Sequence, residues 1–373
     1  MHIVIIPNGF QVDYTVNLLN SLSGKVERID FIGSSIYPES KIDNRIHVYN
    51  LRGSHDDNVG ILSKIHRMVS YYLRLTAHLF RTNAGIVHSQ WLRFNFLEGV
   101  LFTLIIKMLG KKAVYTAHDV LPHSKNNVYN RLLFKIIYKL QDNIIVHSDF
   151  IKNRIIKEFH INGKKVFLVR HGLYKITDSP AVSKDNAREK LGYDQHQCIV
   201  LFFGIITKYK GLDLLLEAFS TLENDLPEIN LLIAGRVSQE YRDEFKNLMN
   251  THTSKRINII ARHILEEEIE LIFKAADLVV LPYTEASQSG VLFMSYAYGK
   301  PVIAPALGGF PDDIEIGKTG LLFEPFNAAS LSAAIRNYVE HWNSDSTYIK
   351  EFAQKNYSWD TSCECLVNIY QQA

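Results

Sequence analysis

Residues 276–305 read ADLVVLPYTEASQSGVLFMSYAYGKPVIAP. The stretch opens on an apolar run, Leu278–Pro282, that is short enough to be a buried parallel strand. A polar loop ending at Gly290 follows, and then an apolar-periodic segment that Gly299 and Pro301 terminate in the way a helix is terminated. A second short apolar run comes directly after it. The stretch therefore predicts a strand, a loop, a helix and a second strand of a parallel α/β sheet.

The polar loop is the first candidate site, and its polar members include Glu285, Gln288 and Ser289. A parallel sheet places such a loop at the carboxyl end of one strand and over the N-terminus of the next helix. Free backbone N–H groups and the helix dipole favour an anion there, and Gly290 lets a ligand approach the backbone closely. An ordinary connecting turn is the alternative, and this segment alone leaves both open.

The bulk composition is that of a soluble enzyme. A chain of 373 residues favours two domains, and 47% hydrophobic with 21% charged residues is ordinary. Three cysteines make no disulfide framework, which indicates a reducing compartment, and Cys363 and Cys365 have no second ligand pair for zinc. Met1 leads directly into a predicted strand, and the longest apolar run is too short to span a bilayer. We therefore expect a cytoplasmic protein.

The charge is distributed unevenly along the chain. Residues 1–170 contain 23 Lys and Arg against 12 Asp and Glu, whereas the remainder contains 18 against 27. Two predicted helices, 61–83 and 130–139, carry basic residues among apolar ones. Such helices can lie on anionic lipid, where each basic residue contributes about 1 kcal/mol. Ordinary core-facing helices with solvated charge are the alternative.

Strands and helices alternate along the whole sequence, which predicts parallel sheets with helices on both faces. In the first half the predicted strands are His2–Ile6, Glu27–Ile32, Ile46–Tyr49, Gly85–His88, Ala113–His118, Asn143–His147 and Lys165–Val169. The predicted helices between them are Tyr14–Leu22, Ile61–Arg81, Asn95–Leu109, Tyr129–Leu140 and Phe150–Phe159. The second half repeats the pattern with strands Ile199–Phe203, Asn230–Ala234, Arg256–Ile260, Leu278–Leu281 and Pro301–Ala304.

The predicted fold class is α/β, with two doubly wound parallel-sheet domains facing a central cleft. A segment poor in apolar residues, 175–186, separates the two halves and is predicted to be the linker. The domains are then 1–174 and 187–356.

Four histidines, His88, His118, His147 and His171, stand at the ends of successive predicted strands. A lone histidine in such a place is usually structural, but four on one rim indicate a site. They lack the close spacing of metal ligands, so no metal is predicted. In the second half, a turn with Lys208 and Lys210 follows a strand and opens a helix. These lysines can neutralise a phosphate as point cations, or they form a solvated pair at a loop.

The second half resembles the donor-binding domain of retaining glycosyltransferases of family 4, which have the GT-B architecture. The matching motifs are Phe203-Gly204, Lys210-Gly211-Leu212-Asp213, Ile233-Ala234-Gly235, Ala275-Ala276-Asp277, Leu281-Pro282-Tyr283, Gln288-Ser289-Gly290-Val291, 298–304, Gly308-Gly309 and Gly320-Leu321-Leu322. The first half and the C-terminus resemble the acceptor domain and the terminal helix that crosses back to it, about 357–373. The motifs there are 116–123, His147-Ser148, His171-Gly172 and Tyr357-Ser358-Trp359.

The resemblance implies a co-substrate, a UDP- or GDP-linked sugar, and no cofactor or metal. Lys210 would grip the diphosphate with a basic neighbour and offset its charge as it leaves. The donor site would also include Gly204, Lys208, Arg262, Ile264, Gln288, Ser289, Gly290 and Val291. Glu285 or Gln288 would contact the sugar, and His118 would reach the sugar or the acceptor. The acceptor side would comprise Asn8, Gly9, Gln90, Asp119 and His171.

The sequence departs from the family pattern in two places. Members commonly carry two glutamates with seven residues between them, but Ala286 and Met294 occupy those positions here. Methionine accepts no hydrogen bond from ribose, so ribose binding must differ. The usual arginine after Gly204 is also missing, and Lys208 is assigned as its substitute.

The leading prediction is a retaining, metal-independent glycosyltransferase that extends a lipid-linked bacterial surface glycan. Nucleotide sugar, glycan or lipid-linked acceptor and an anionic membrane surface at the inner face of the cell membrane are the expected partners, and no nucleic acid is expected. Two alternatives stay open. One is another GT-B enzyme, such as a nucleotide-sugar epimerase or a phosphorylase. The other is a non-catalytic binding protein of the same fold.

Overall fold

The chain divides into two compact units. In the computed structural model the described residues are 1–8, 11–54, 60–121, 127–173, 176, 178–179, 181–285, 288–342 and 344–372. Unit 1 comprises Met1–Gly172 and Tyr357–Ala373, and unit 2 comprises Leu173–Asn356. Each unit is built around its own parallel sheet, with seven strands in unit 1 and six in unit 2. The predicted α/β fold with two doubly wound parallel sheets is confirmed.

Unit 1 is organised by a sheet of strand order β3-β2-β1-β4-β5-β6-β7. The strands are β1 His2–Ile6, β2 Arg28–Ile32, β3 His47–Tyr49, β4 Ile86–Ser89, β5 Lys112–Thr116, β6 Asn143–Val146 and β7 Val166–Leu168. The central strands are runs of Ile and Val because helices bury both of their faces. In β1, for example, Ile3 to Ile5 are completely buried.

The helices of unit 1 cover the two faces of this sheet separately. They are α1 Val12–Leu22, α2 Ile61–Arg81, a π-helix Leu97–Phe102 that continues into α3 Thr103–Met108, α4 Val128–Leu140, α5 Asp149–Phe159 and, from the C-terminus, α14 Trp359–Gln371. Helices α1 and α14 share one face, and α2 to α5 cover the other. Helix α14 reaches the sheet because Gly172 has no side chain: a Cβ there would lie 2.1 Å from the ring of Trp359.

Unit 2 has the strand order β10-β9-β8-β11-β12-β13. Its strands are β8 Cys198–Phe203, β9 Ile229–Ala234, β10 Ile257–Ile260, β11 Leu278–Val280, β12 Val302–Pro305 and β13 Gly320–Phe323. Its helices are α6 Lys184–Leu191, α7 Leu212–Asp225, α8 Arg242–Thr251, α9 Glu266–Ala275, α10 Gly290–Ala297, α11 Phe310–Asp313, α12 Ala328–His341 and α13 Ser346–Asn356. All six residues of β9 are buried, as in the centre of such a sheet.

The structure differs from the sequence prediction at several boundaries. Helix α6 begins inside the predicted linker 175–186, because Ser183 caps it by accepting a hydrogen bond from the Asn186 N–H. Residues 174, 175, 177 and 180 lie outside the described residues. Strand β13 was not predicted, since its four residues are too few to show a period. The predicted helix 95–109 opens as a π-helix rather than an α-helix.

The strand order reverses direction at one place in each sheet. In unit 1 the reversal lies between β1 and β4, and in unit 2 between β8 and β11. The loops that leave such a pair of strands turn to opposite faces of the sheet, which opens a crevice at the carboxyl ends where ligands bind. Asn8 and Gln90 follow the pair in unit 1, whereas Gly204 and residues 281–285 follow the pair in unit 2.

Gly211, which precedes α7, is the first position we would test. Its φ is +66°, and a Cβ would lie 1.9 Å from the Pro282 carbonyl oxygen. We expect Gly211→Ala to lower the free energy of unfolding by roughly 2 kcal/mol or more, because backbone strain and a clash add. Gly192→Ala is the matched control, since φ is +77° with no heavy atom within 4 Å. Urea midpoints measure both, and equal losses would rule out the Pro282 contact as the cause.

Candidate functional site

The turn that carries Lys210 is joined to the loop after β11. Lys210 ends a short 3-10 turn that follows β8, and Gly211 lies directly against the Pro282 carbonyl. Thr284 completes the junction, because its N–H and its hydroxyl donate to the Tyr209 carbonyl at 2.8 and 3.1 Å. The two segments beside the strand-order reversal therefore form one rigid platform.

On this platform the Lys210 ammonium is buried. The residue is 7% exposed, and Nζ lies 5.3 Å from the centroid of the Tyr283 ring. A Cβ on Gly204 would lie 2.8 Å from this Nζ and 3.4 Å from Val291 Cγ2. Three residues that the sequence assigned to donor binding, Gly204, Lys210 and Val291, thus meet at one point.

Lys210 lacks a counter-ion: no carboxylate pairs with its Nζ in the part of the chain that the structure describes. Burial lowers the pKa of Lys210 below its usual value, opposed only by Tyr209. A buried cation of this kind is stabilised by an incoming anion, which restores the charged form.

The N-terminus of α10 supplies the second half of the arrangement. Ser289 precedes the helix but does not cap it with its side chain, because its hydroxyl donates to Tyr283 Oη at 3.3 Å. The amides of Gly290 and Val291, in the first turn, have no acceptor within the helix by geometry. Together with the nearby Lys210 ammonium, they make an arrangement that favours an anion.

The remaining loop residues are described only in part. The Nε2 of Gln288 is buried and has no hydrogen-bond partner among the described residues, and Glu285 is exposed. Ala286, the position of the first family glutamate, lies outside the described residues. Met294 lies on α10, partly buried. The loop thus presents one amide without a partner for a polar ligand.

Two basic residues that the sequence assigned to the donor, Lys208 and Arg262, are paired with carboxylates. Lys208 is exposed and lies 2.7 Å from Glu244, in an ion pair. Arg262 makes a bidentate pair with Glu268 at 2.6 and 2.7 Å, which lowers the pKa of that carboxyl to about 2. Ile264, two residues after Arg262, is buried. Both Lys208 and Arg262 are thus paired with carboxylates, and the spacing of the sequence motifs does not reveal these partners.

In unit 1, three of the four strand-end histidines gather around Tyr14. The ring centroids of His118, His147 and His171 lie 5.1, 5.6 and 5.0 Å from that of Tyr14. Trp91 stacks on His118 at 3.8 Å with the planes 2° apart. The fourth, His88, does not join them.

His88 is a structural residue rather than a member of the rim. It is buried within β4, and its two ring nitrogens bond to Tyr370 Oη at 2.6 Å and to Thr116 Oγ1 at 2.7 Å. Because both ring nitrogens are engaged by α14 and β5, His88 has no free ring nitrogen to offer to the predicted site. The predicted strand through His118 also ends earlier, at Thr116.

Hydrogen bonds fix the protonation of two of the gathered rings. His147 Nδ1 donates to the Val169 carbonyl at 2.7 Å, and His171 Nδ1 donates to the Gly172 carbonyl at 2.6 Å. Tyr14 then donates to His147 Nε2 at 3.2 Å. His118 differs, because its Nε2 is buried and has no hydrogen-bond partner within the described ranges.

Gln90 and Asp119 lie beside this cluster. Gln90 is completely buried; its Oε1 accepts from Thr15 at 3.3 Å, while its Nε2 has no partner among the residues described. Asp119 is partly exposed and follows His118 directly. Like His118, Gln90 thus has a buried side-chain nitrogen that makes no hydrogen bond to a described residue.

Sequence reasoning missed a polar network around Asn8. Asn8 has a φ of +47°, and its Oδ1 accepts from Arg52 Nη2 at 2.8 Å and from the Tyr71 hydroxyl at 3.3 Å. Arg52 lies 3.7 Å from Glu98, which is buried in the π-helix with a raised pKa caused by that burial. The available sequence signal for this network was Glu98, a single acidic residue in the otherwise apolar helical run Leu97–Phe102. Gly9 lies outside the described residues.

Arg236 is a further basic residue of unit 2. Arg236, which follows β9, is exposed and without an ion-pair partner in the described segments, and its carbonyl accepts from the Ile206 N–H at 2.8 Å. It is a basic residue near the Gly204 loop that was not predicted from the sequence.

The described residues contain no group of three or more His, Cys, Asp or Glu that could hold a metal ion.

The histidine cluster predicts that stability depends on pH. Burial lowers the pKa of His147 to about 4, of His171 to about 3, and of His118 well below its usual value. Below pH 6.5 the unfolded chain therefore binds protons that the folded chain does not. We expect the free energy of unfolding to fall between pH 6.5 and 4 by about 1.4 kcal/mol per pH unit for each such histidine.

Urea unfolding at several pH values measures this dependence. His147→Gln removes one titrating ring, so its profile should be shallower than that of the wild type over the same interval. A wild-type midpoint that stays constant from pH 7 to pH 5 would contradict the neutral, buried cluster.

The sequence and the fold both match known protein families. Residues 183–356 match the family described as Glycosyl transferases group 1, and residues 12–173 match Glycosyltransferase Family 4. A D-inositol 3-phosphate glycosyltransferase of Corynebacterium aurimucosum is 24% identical over 80% of this chain and 74% of its own length. An uncharacterised glycosyltransferase of Methanocaldococcus jannaschii is 23% identical over 81% and 78%.

Solved structures agree on the fold. Sucrose-phosphate synthase of Thermosynechococcus elongatus aligns over 100% of this chain and 98% of its own, with a TM-score of 0.77 and 18% identity. Anabaena HepE, in complex with UDP and glucose, aligns over 100% and 99%, with a TM-score of 0.75 and 16% identity. The two family matches together cover most of both units, and the solved structures have the same fold as this chain. The chain therefore belongs to glycosyltransferase family 4 and is a glycosyltransferase of the GT-B fold.

Proposed function

We propose that this glycosyltransferase takes its sugar from a UDP- or GDP-linked donor and holds the diphosphate in unit 2 without a metal. The observation that carries the proposal is the buried Lys210 ammonium beside Gly204 and Val291, with no carboxylate partner in the described part of unit 2. The free amides at the start of α10 add to this anion site. The unpartnered Gln288 amide would contact the sugar.

The reaction we propose retains the configuration of the transferred sugar. The bond between C1 and the phosphate oxygen breaks, and the diphosphate leaves with both bonding electrons. Lys210 and the amides of Gly290 and Val291 stabilise the charge that develops on it. The acceptor hydroxyl bonds to C1 on the same face, and its proton passes to the departing phosphate oxygen.

Unit 1 would hold the acceptor near the His118 cluster. His118 Nε2 and Gln90 Nε2 are buried without partners among the described residues, so a bound hydroxyl would satisfy them. His118 has a strongly lowered pKa because of burial, and so it is neutral at physiological pH. It would thus orient a hydroxyl by a hydrogen bond rather than by charge.

Solved neighbours support the choice of a nucleotide donor. HepE of Anabaena was solved with UDP and with UDP-glucose, and starch synthase IV of Arabidopsis thaliana with ADP and acarbose. By the resemblance, Arg262 and Ile264 would flank the base of this chain's own nucleotide. The pairing of Arg262 with Glu268 leaves the packing of Ile264 as the main contribution to that contact.

Lys210→Ala tests the diphosphate role. We expect kcat/KM for nucleotide release from a panel of UDP- and GDP-sugars to fall by about 10²–10³, because a preorganised cation is lost at the leaving group. Lys246→Ala, which removes an exposed lysine of the same unit, is the control and should leave the rate unchanged. Undiminished transfer by Lys210→Ala would refute the proposal.

Lys208→Ala separates the two lysines of the turn. Because Lys208 is exposed and paired with Glu244, we expect a much smaller loss than for Lys210→Ala. Equal losses would mean that Lys208 leaves Glu244 when the donor binds, as the sequence assignment requires.

We further propose that unit 1 lies on an anionic membrane surface, where a lipid-linked glycan would be the acceptor. Of the twenty-one exposed large apolar side chains in the described residues, sixteen lie between Ile61 and Ile136. Thirteen of them lie on α2, α3 and α4, and the other three, Phe94, Phe96 and Leu101, lie just before or within the π-helix. Helices α2 to α4 cover the same face of the sheet. Residues 61–136 also contain 11 Lys and Arg against 2 Asp and Glu. This combination is typical of peripheral binding to anionic lipid.

Helix α2 contributes several strongly exposed side chains to this surface. Ile61 and Leu62 are 76% and 83% exposed, and Leu73 is 67% exposed. Helices that only cover a core bury such side chains. None of the helices formed by the described residues combines the length and the apolar character that crossing a bilayer requires.

Vesicle co-sedimentation tests this proposal. We expect binding to vesicles that contain phosphatidylglycerol and little binding to neutral phosphatidylcholine. The double variant Ile61→Ser with Leu62→Ser should bind at least about tenfold more weakly, because each apolar side chain contributes about 1.5–3 kcal/mol on burial. Ile316→Ser, an exposed apolar residue of unit 2, is the control. Equal binding to neutral and anionic vesicles, or none, would exclude the idea.

A further inference from the structure

A basic cavity lies in unit 1 between α2 and the strands β1, β2 and β3. His2 and Arg28 begin β1 and β2, at the ends opposite to those that Asn8 and Gln90 follow, whereas Tyr49 ends β3. The cavity has a volume of about 540 Å³. Its walls are formed by His2, Arg28, Asp30, Tyr49, Leu51, Arg74, Ala77, His78, Arg81, Thr82 and Asn83. It shares no residue with the proposed donor and acceptor sites.

Positive charge dominates the walls. Three arginines and two histidines face a single carboxylate, Asp30, which is buried. Its Oδ1 accepts from Arg28 Nε at 2.9 Å, and its Oδ2 accepts from the Thr82 hydroxyl at 2.9 Å. His2 and His78 lie 3.0 and 3.3 Å from Oδ2. Asp30 is therefore engaged on both oxygens and cannot also neutralise the remaining arginines.

Arg74 and Arg81 are those remaining arginines. Both are exposed, and neither makes a hydrogen bond or an ion pair with any residue that the structure describes. They stand seven residues apart on α2 with His78 between them, so the three side chains share one face of the helix. Arg28 approaches from β2, where its Nη2 donates to the Tyr49 hydroxyl at 3.1 Å.

Stabilisation of the helix end does not account for this arrangement. Basic residues in a last turn favour the helix dipole, which would explain His78 and Arg81. Arg74 lies two turns earlier, and Arg28 belongs to a strand. The carbonyls of Thr82 and Ala84, just beyond the helix, are already bonded by Lys111 Nζ at 2.7 and 2.8 Å.

We propose that this cavity binds a phosphomonoester, with Arg74 and Arg81 as its principal ligands. Guanidinium groups match phosphate oxygens in bidentate geometry, and two of them without partners can engage one phosphate. Tyr49, Leu51 and Ala77 supply an apolar wall for the organic part of the ligand. The volume is within the range of small-molecule sites, about 300–1,000 Å³. The ligand is either a soluble phosphoester or the headgroup of a phosphomonoester lipid.

Isothermal titration with inorganic phosphate, at constant ionic strength, tests the cavity. We expect Arg74→Ala with Arg81→Ala to raise the Kd by about tenfold or more, because two charge-assisted contacts are lost. Lys157→Ala with Lys190→Ala removes the same charge from exposed positions elsewhere and should not change the Kd. Lys210→Ala should also bind phosphate here, so the result is independent of the donor site. Unchanged binding in the double arginine variant, or no binding by the wild type, would overturn the proposal.

Vesicles distinguish the two sources of the phosphate. Phosphatidic acid carries a phosphomonoester and phosphatidylglycerol a phosphodiester, in the same phosphatidylcholine background. A preference for phosphatidic acid that the double arginine variant loses, and that free phosphate competes away, identifies a lipid headgroup. Equal binding to both lipids, together with phosphate binding that depends on Arg74 and Arg81, identifies a soluble phosphoester.

Discussion

A buried ammonium group without a counter-ion is the constraint on which the site of unit 2 depends. Burying an unpaired charge is costly, so the fold must hold Lys210 in place by other means. Gly211 does so by lying against the Pro282 carbonyl, and Gly204 leaves the space that Nζ occupies. Both glycines are required by close approach and by their positive φ angles. The same contacts place the lysine close to Val291 at the start of α10, so one set of packing interactions assembles the candidate site.

Unit 1 has a different chemical character at the carboxyl ends of its strands. Its cluster consists of neutral imidazoles, held by backbone carbonyls and packed against Tyr14 and Trp91. Charge is concentrated elsewhere, on the outer helices and in the cavity between α2 and the sheet. The two units thus share a topology, but unit 2 has a buried cation beyond the carboxyl ends of its strands and unit 1 has uncharged polar groups there. This division suits a reaction in which only one of two substrates carries a diphosphate.

The sequence predicted those parts of the fold that local pattern determines. Buried runs such as β9 and the helix after Gly290 have short-range signals, and the motifs placed Gly204, Lys210 and Val291 together before any geometry was known. Side-chain partners from distant segments were not predictable. Glu244 and Glu268 pair with Lys208 and Arg262, and Tyr370, near the far end of the chain, bonds to His88. Asn8, Arg52 and Glu98 likewise come from three distant segments, and no repeating sequence pattern indicates that they contact one another.

The return of α14 to unit 1 has a consequence for synthesis on the ribosome. Unit 2 is a continuous segment, 173–356, so all of its contacts are available once that segment has emerged. Unit 1 must wait, because α14 covers one face of its sheet through contacts such as the bond between His88 and Tyr370, which are 282 residues apart. Such long loops close slowly. The first half of the chain to be translated is therefore the last to be finished, and until then the apolar face that awaits α14 is exposed to chaperones.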